Sequence, residues 1–314
     1  MNLEKRVNAF AELGKFLNQF SQEKIEKQDN IKHNDLFFDG FKHQLKLAQE
    51  HNGWFTNENV LFAIEGWSNQ LNYNNINKWL KKYNFNTIGS KKVAIIMAGN
   101  IPLVGFHDFL SVLISGHQVL VKQSSNDKHL LPFLAKYLEH IEPGFKNKII
   151  FTEEKLEGFD AVIATGSDNT ARYFEYYWLG CRNVSKLFVP KEYDFKGFFE
   201  AVYKWHPIIN QAKYANNYDY NKAVYLMSEF EMLENGFLMI KEDLSYASPI
   251  ATLFYEYYDS KELLNEKLKI DKDKIQCIVA SGFVDSEITF GETQRPELWN
   301  YADDIDTIEF LLKI

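Results

Sequence analysis

Residues 91–100, KKVAIIMAGN, place a short apolar run directly before a glycine and an asparagine. A second apolar run, Gln118–Lys122, follows after a segment that is long enough for one helix. Parallel strands need such a crossover, and this order of strand, helix and strand is typical of a βαβ unit. We therefore predict a strand at each of the two runs.

The same alternation continues downstream of this unit. A helix is predicted at Lys128–Ile141, followed by strands at Lys148–Phe151 and Phe159–Ala164. Strands that are buried on both faces of a parallel sheet have unbroken apolar runs of this kind. Residues 91–177 are therefore predicted to form a doubly wound, Rossmann-like lobe that binds a dinucleotide.

The regions on either side of this lobe have different patterns. Residues 1–90 are predicted to be helical, beginning with an amphipathic helix that covers a core. Residues 178–289 are predicted to be a second α/β lobe, and residues 290–314 a tail that packs back as a short helix. The strand candidates of the second lobe are Lys186–Val189, Ala223–Met227, Ile250–Tyr255 and Ile275–Ala280.

The composition excludes several classes of protein and of partner. Hydrophobic residues make up 46% of the 314 residues, which supplies a buried core and excludes disorder. The net charge of -8 opposes attraction to phosphate backbones, so no nucleic-acid partner is expected. No apolar run reaches the length of a membrane span, and charged residues interrupt the apolar residues at the N-terminus.

The cysteines and histidines argue against disulfides and metals. The two cysteines, Cys181 and Cys277, have no CxxC spacing, which fits a reduced cytoplasmic protein. The eight histidines are scattered and form no HExxH motif, so no catalytic metal is predicted. Cys277 lies within an apolar run and is expected to be buried there.

Three loops could carry chemistry, and each also has a purely structural explanation. Asn100 follows the first predicted strand, where its amide could donate to an oxyanion or could satisfy its own turn. Gly166 and Ser167 lie between a strand and a helix, where they could bind an anion or form an ordinary N-cap. Cys181, in a turn beside an arginine, could be a nucleophile or a small buried residue.

Taken together, these loops resemble the aldehyde dehydrogenase superfamily, and within it the acyl-CoA reductases related to the LuxC fatty-acid reductase of luminous bacteria. The stretches that carry the resemblance occur in the family's order and cover most of residues 91–314. They are residues 98–109 (AGNIPLVGFHDF), 121–125 (VKQSS), 164–170 (ATGSDNT), 179–186 (LGCRNVSK), 213–218 (KYANNY) and 301–303 (YAD). The resemblance implies an aldehyde-dehydrogenase-like fold, in which the second α/β lobe carries the cysteine.

The resemblance also assigns roles to individual residues. Cys181 matches the acyl-accepting cysteine, and Asn100 matches the amide that holds the oxyanion. Lys122 matches the lysine that holds the adenosine ribose of the cofactor, while Gly166 and Ser167 match the turn at its pyrophosphate.

Two further residues bear on the cofactor. Glu242 matches a glutamate that touches the nicotinamide ribose in aldehyde dehydrogenases. Ser124 and Ser125 follow Lys122 at the point where an NAD-preferring relative has an acidic group, which leaves room for a 2′-phosphate. NADPH is therefore favoured over NADH.

By this resemblance, the chain is expected to reduce a long-chain fatty acyl-CoA, or another acyl thioester, to the aldehyde through an acyl-cysteine intermediate. The acyl donor could be a coenzyme A thioester, a carrier protein or an acyl-donating partner, and the family implies a homo-oligomer. Two alternatives remain open. The chain could be a catalytically impaired relative that binds acyl chains or a partner, or a cysteine acyltransferase or thioesterase that transfers no hydride.

One departure from the family pattern lies at Tyr177/Trp178. In the family, several tens of residues, including another strand, separate the helix near Thr170 from the cysteine turn, whereas here Tyr177 runs directly into Trp178. Either the chain carries a true internal deletion or a segment is missing from the sequence at this point.

Overall fold

The computed structural model describes residues 1–85, 89–164, 184–283, 287–302 and 305–314. The chain divides into two units, Met1–Gly166 together with Pro296–Ile314, and Ser167–Arg295. Each unit contains one four-stranded sheet among its described residues. The join at Tyr177/Trp178 lies outside the described residues.

Four helices precede the first sheet, α1 (Leu3–Leu17), α2 (Asn34–His51), α3 (Asn57–Gln70) and α4 (Tyr73–Leu80). Helix α1 begins at a side-chain cap, because the Oδ1 of Asn2 accepts the N–H of Lys5 at 3.0 Å. Its apolar face packs against α3 and α4, as its helical spacing predicts. The fully buried residues of that face include Phe10, Leu13, Phe16 and Leu17.

The first sheet consists of β1 (Lys92–Ile96), β2 (Gln118–Lys122), β3 (Ile149–Thr152) and β4 (Ala161–Ala164). All pairs are parallel, and the strand order is β3-β2-β1-β4. Two crossover helices connect the first three strands, α5 (Phe106–Ser115) and α6 (Leu130–Ile141). The predicted parallel sheet is therefore confirmed, and its strand order reverses beside β1.

One face of this sheet differs from the expectation of burial on both sides. Val93 and Val119 are fully buried on the face that carries α5 and α6. On the opposite face, Ile96 and Val162 remain 42% and 45% exposed. The segment that connects β3 to β4 is a loop, so it places no crossover helix on this face.

The second unit contains β5 (Lys186–Pro190), α7 (Lys196–Val202), α8 (Ala212–Met227), β6 (Leu233–Glu234), β7 (Met239–Glu242), β8 (Thr252–Tyr258) and α9 (Lys261–Ile270). Its sheet has the order β5-β8-β7-β6, with β5, β8 and β7 parallel and β6 antiparallel. The strands predicted at Lys186–Val189 and Ile250–Tyr255 are present as β5 and β8.

Two strand predictions in this unit are wrong. Residues Ala223–Met227 form the last part of α8, because a short apolar run fits a helix as well as a strand. Among the described residues, Ile275–Ala280 make only a single bridge, between Val279 and Ile288. Cys277, expected to be buried in that run, is half-buried.

The tail forms α10 (Thr307–Leu311), which belongs to the first unit. Ile308 and Leu311 are fully buried, and α10 packs against α5. Trp79 of α4 donates from Nε1 to the hydroxyl of Tyr301 at 2.7 Å. This hydrogen bond attaches the segment that precedes α10 to α4. Within the described residues, no helix is both long enough and apolar enough to cross a membrane.

Candidate functional site

The candidate site lies at the carboxyl edge of the first sheet, where β1 and β2 end. The loop after β1 carries Asn100, and β2 ends at Lys122. Strand order reverses beside β1, and open α/β sheets bind ligands in the crevice outside such a reversal. The sheet therefore brings Asn100 and Lys122 to the edge where a ligand is expected.

The two loops touch each other at Gly99. A Cβ atom built on Gly99 would lie 2.2 Å from the Oγ of Ser124 and 2.6 Å from its Cβ. Only a residue without a side chain permits this approach. Because Ser124 follows Lys122 and Gly99 precedes Asn100, the contact fixes the separation of the predicted oxyanion and cofactor loops.

A hydrogen bond to the buried side chain of Asp127 also fixes the loop that carries Asn100. Asp127 is 8% exposed, and its Oδ2 accepts the main-chain N–H of Leu103 at 3.3 Å. Leu103 adopts a left-handed φ of 57°, an unfavourable conformation for a leucine, so this hydrogen bond stabilises a strained point of the loop. Asn100 itself is half-buried beside it.

The environment of Asp127 changes its protonation. Burial raises the pKa of the Asp127 carboxyl group to about 6, and the hydrogen bond from Leu103 offsets part of that rise. Oδ1 of Asp127 is buried and has no hydrogen-bond partner within the described part of the chain. Asp127 therefore contributes a hydrogen-bond acceptor for the loop rather than a charge exposed to a ligand.

A side chain from the N-terminal helices ties both loops together. Asn52 is 4% exposed, and its Nδ2 donates to the carbonyl oxygen of Gly99 at 3.0 Å and to that of Asn126 at 3.3 Å. The adjacent His51 donates from Nε2 to the carbonyl oxygen of Ser125 at 2.8 Å. The helical region is thus a direct structural support of the candidate site.

Lys122 and Ser124 are available for a ligand at this edge. The ammonium group of half-buried Lys122 makes no hydrogen bond or ion pair with the described residues. Ser124 accepts the N–H of Asn126 on its Oγ at 3.2 Å, which leaves the hydroxyl hydrogen to donate elsewhere. Residues 122–126 contain no acidic side chain, so the turn has a positive character.

Four predicted residues remain, of which three lie outside the described residues and one belongs to the second unit. Gly166, Ser167 and Cys181 are outside the described residues. Glu242 belongs to the second unit, where it is exposed at the end of β7. Strand pairing aligns Glu242 with Tyr255, and Tyr255 with Leu187, so Glu242 lies level with the beginning of β5.

Sequence reasoning missed Asn52 and Asp127, which hold the predicted loops. Asn52 belongs to an Asn-Gly pair that marks a break between helices, and Asp127 belongs to a polar turn. Asn and Asp are common in exposed turns, so their presence in these two turns does not indicate that the side chains are buried and support a loop. A polar break that immediately follows a long amphipathic helix was the available signal for Asn52.

The fold has known relatives among solved structures, although no family model and no curated protein matches the sequence. A mutant of aldehyde dehydrogenase C from Pseudomonas syringae, solved with NAD+ and octanal, matches with a TM-score of 0.53 and 8% identity, over 83% of this chain and 69% of its own. Aldehyde dehydrogenase 21 from Physcomitrella patens, with succinate, matches with a TM-score of 0.52 and 10% identity, over 85% and 71%.

A third structure binds the other nicotinamide cofactor. The glyceraldehyde-3-phosphate dehydrogenase of Methanocaldococcus jannaschii, solved with NADP, has a TM-score of 0.50 and 11% identity, over 84% of this chain and 73% of its own. At such low identity the likeness establishes architecture. The chain is a mixed α/β protein with an aldehyde-dehydrogenase-like fold.

Proposed function

We propose that this chain is an aldehyde-forming oxidoreductase that reduces a long-chain fatty acyl thioester with NADPH, through an acyl intermediate on Cys181. The observation that carries the proposal is the contact at Gly99, which joins the Asn100 loop to the Lys122 turn at the strand-order reversal. The solved neighbours that bind NAD+, NADP and octanal support a nicotinamide cofactor and an aldehyde in the same fold.

Asn100 has the role of stabilising negative charge on the substrate oxygen. When a thiolate attacks a thioester carbonyl, the oxygen becomes an anion, and a preorganised amide donor there is typically worth roughly 3 kcal/mol. The hydrogen bonds of Asn52 to Gly99 and of Asp127 to Leu103 support this role, because they fix the loop on both sides of Asn100. The donor therefore needs little rearrangement during the reaction.

The turn after β2 fits the adenosine end of a dinucleotide. Lys122 would hold the ribose, and Ser124 would donate to a 2′-phosphate, which an acidic residue in the turn would repel. The absence of Asp and Glu from residues 122–126 favours NADPH over NADH. By the family resemblance, Gly166 and Ser167 would hold the pyrophosphate and Glu242 the nicotinamide ribose. When bound, a reduced nicotinamide supplies the hydride.

The proposed reaction then has two stages on Cys181. Its thiolate forms a bond to the acyl carbon, the bond to the sulfur of coenzyme A breaks, and the departing thiolate takes a proton. Hydride addition to the acyl carbon gives a hemithioacetal on Cys181, which releases the aldehyde and regenerates the cysteine thiolate. Asn100 donates to the substrate oxygen in both stages.

The proposal is tested with long-chain acyl-CoA and NADPH, by following cofactor oxidation and aldehyde formation in the same sample. We expect equal amounts of aldehyde and oxidised cofactor, loss of both in Cys181→Ala, and unchanged rates in the matched control Cys277→Ala. Aldehyde formation by Cys181→Ala would reject the proposal. Release of free fatty acid without NADPH would instead indicate a thioesterase, and failure to bind NADPH would indicate an impaired relative.

A further inference from the structure

A cavity lies in the first unit, at the edge of the sheet opposite to Asn100. It measures about 670 Å³, and its lining includes Ser115, Gly116 and His117 before β2 and Lys148 before β3. These residues stand at the amino ends of the strands, whereas Asn100 and Lys122 stand at the carboxyl ends. The cavity is therefore separate from the proposed catalytic site, and ligand binding there would be independent of the proposed function.

Two positively charged side chains meet in this cavity. Lys148 donates from Nζ to the carbonyl oxygen of Gly116 at 3.2 Å and to the hydroxyl of Ser90 at 2.7 Å. The guanidinium of Arg6 lies against the same glycine, with Nη1 3.1 Å from the position of a Cβ on Gly116. Arg6 is only 8% exposed. Both charges are thus concentrated around one residue.

Neither charge has a carboxylate partner among the described residues. Arg6 donates to two carbonyl oxygens, those of Ile114 and Met1, each at 2.8 Å, and no described residue lining the cavity is acidic. Burial lowers the pKa of Lys148, and the charge of Arg6 lowers it further. Two like charges in a partly buried space are costly unless a negative group neutralises them.

Capping of α5 explains only part of this arrangement. The carbonyl oxygens of Ile114 and Gly116 belong to the end of α5, and cations stabilise the negative end of a helix dipole. That end carries about half an elementary charge. Arg6 and Lys148 carry two full positive charges, so a substantial positive charge remains after capping.

We propose that this cavity binds the phosphate group of a small phosphate ester. Arg6 and Lys148 match the double negative charge of a phosphate monoester. Helix α1 begins at Leu3, a lining residue, so the positive end of its dipole adds to the attraction. The cavity is as large as ordinary small-molecule sites, and half-buried Leu3 and Phe85 offer apolar surface to the organic part.

The test is calorimetric titration of the full chain with phenyl phosphate and with inorganic phosphate at constant low ionic strength. We expect saturable binding of one phenyl phosphate, about tenfold weaker in Lys148→Gln. Lys146→Gln is the matched control, because it removes the same charge from an exposed position outside the cavity. Its affinity should equal that of the wild type.

Three results would overturn the proposal. They are the absence of saturable binding by the wild type, unchanged binding in Lys148→Gln, and equal weakening in Lys146→Gln. The titration of the wild type keeps the proposal testable if Lys148→Gln does not fold, because the absence of saturable binding already rejects the proposal. Tighter binding of phenyl phosphate than of inorganic phosphate assigns the cavity to an ester, whereas equal affinity contradicts the role of Leu3 and Phe85.

Discussion

The side-chain amide of Asn52 donates to the carbonyl oxygen of Gly99 across 3.0 Å and thereby joins the N-terminal helices to the loop that carries Asn100. The same nitrogen reaches the carbonyl oxygen of Asn126, in the turn that follows Lys122. One buried residue outside the sheet therefore holds both of the loops assigned to chemistry. Its removal should affect the stability of the chain and the proposed activity together.

Asn52→Ala leaves the carbonyl oxygens of Gly99 and Asn126 without this donor. Because Gly99 is half-buried and Asn126 is exposed, water replaces part of the lost interaction, and we expect a loss of about 1 kcal/mol in the free energy of unfolding. Urea denaturation measures it. Asn74→Ala, at an exposed position of α4, is the control and should change stability little. Equal stability of Asn52→Ala and Asn74→Ala would contradict the role of Asn52 in holding the two loops.

Gly99→Ala should disrupt the contact between the two loops. The new Cβ would lie 2.2 Å from the Oγ of Ser124, so one loop must move away from the other. We expect weaker NADPH binding, measured by fluorescence titration, and a loss of stability, measured by urea denaturation, that the double variant Gly99→Ala/Ser124→Gly partly recovers. Gly66→Ala is a control of opposite sign, because open space surrounds that exposed helical glycine and alanine should stabilise the helix by up to about 1 kcal/mol.

Asp127 should make the stability of the chain depend on pH. Because burial raises the pKa of this carboxyl from 3.8 to about 6, the folded state holds a proton that the unfolded state has lost. The contribution of Asp127 to the free energy of unfolding therefore falls as pH rises between about 4 and 6, by roughly 3 kcal/mol in total. Above that range the lost stability is not regained.

Asp127→Asn isolates this contribution, because an amide oxygen still accepts the N–H of Leu103 but does not titrate in this range. The measurement is urea denaturation of both proteins at pH 4 and pH 7. The stability of the wild type relative to the variant should decrease toward pH 7. A difference that does not change with pH would show that Asp127 is not buried as a neutral acid.

The sequence predicts the first sheet well because strands buried in a parallel sheet carry a local signal, an unbroken apolar run. The same signal fails at Ala223–Met227, where the run continues α8, and at Ile275–Ala280, which make a single bridge with the described residues. Position 100 is predictable because it follows a strand. Asn52 and Asp127 are not, because their partners are main-chain groups distant in sequence, which only the fold brings near them.

The hydroxyl of Tyr301 gives a last prediction, which separates a structural role from a chemical one. It accepts the indole N–H of buried Trp79 at 2.7 Å and lies 2.6 Å from the hydroxyl of Tyr83, which also donates to Asp306. In Tyr301→Phe the buried indole loses its partner, so we expect a destabilisation of about 1 to 3 kcal/mol by urea denaturation. Tyr73→Phe, at an exposed position, is the matched control.

Because the contacts of Tyr301 attach the tail and lie outside the loops of Asn100 and Lys122, the KM for NADPH should not change in Tyr301→Phe. A variant of normal stability that has lost aldehyde formation would instead assign Tyr301 to the reaction.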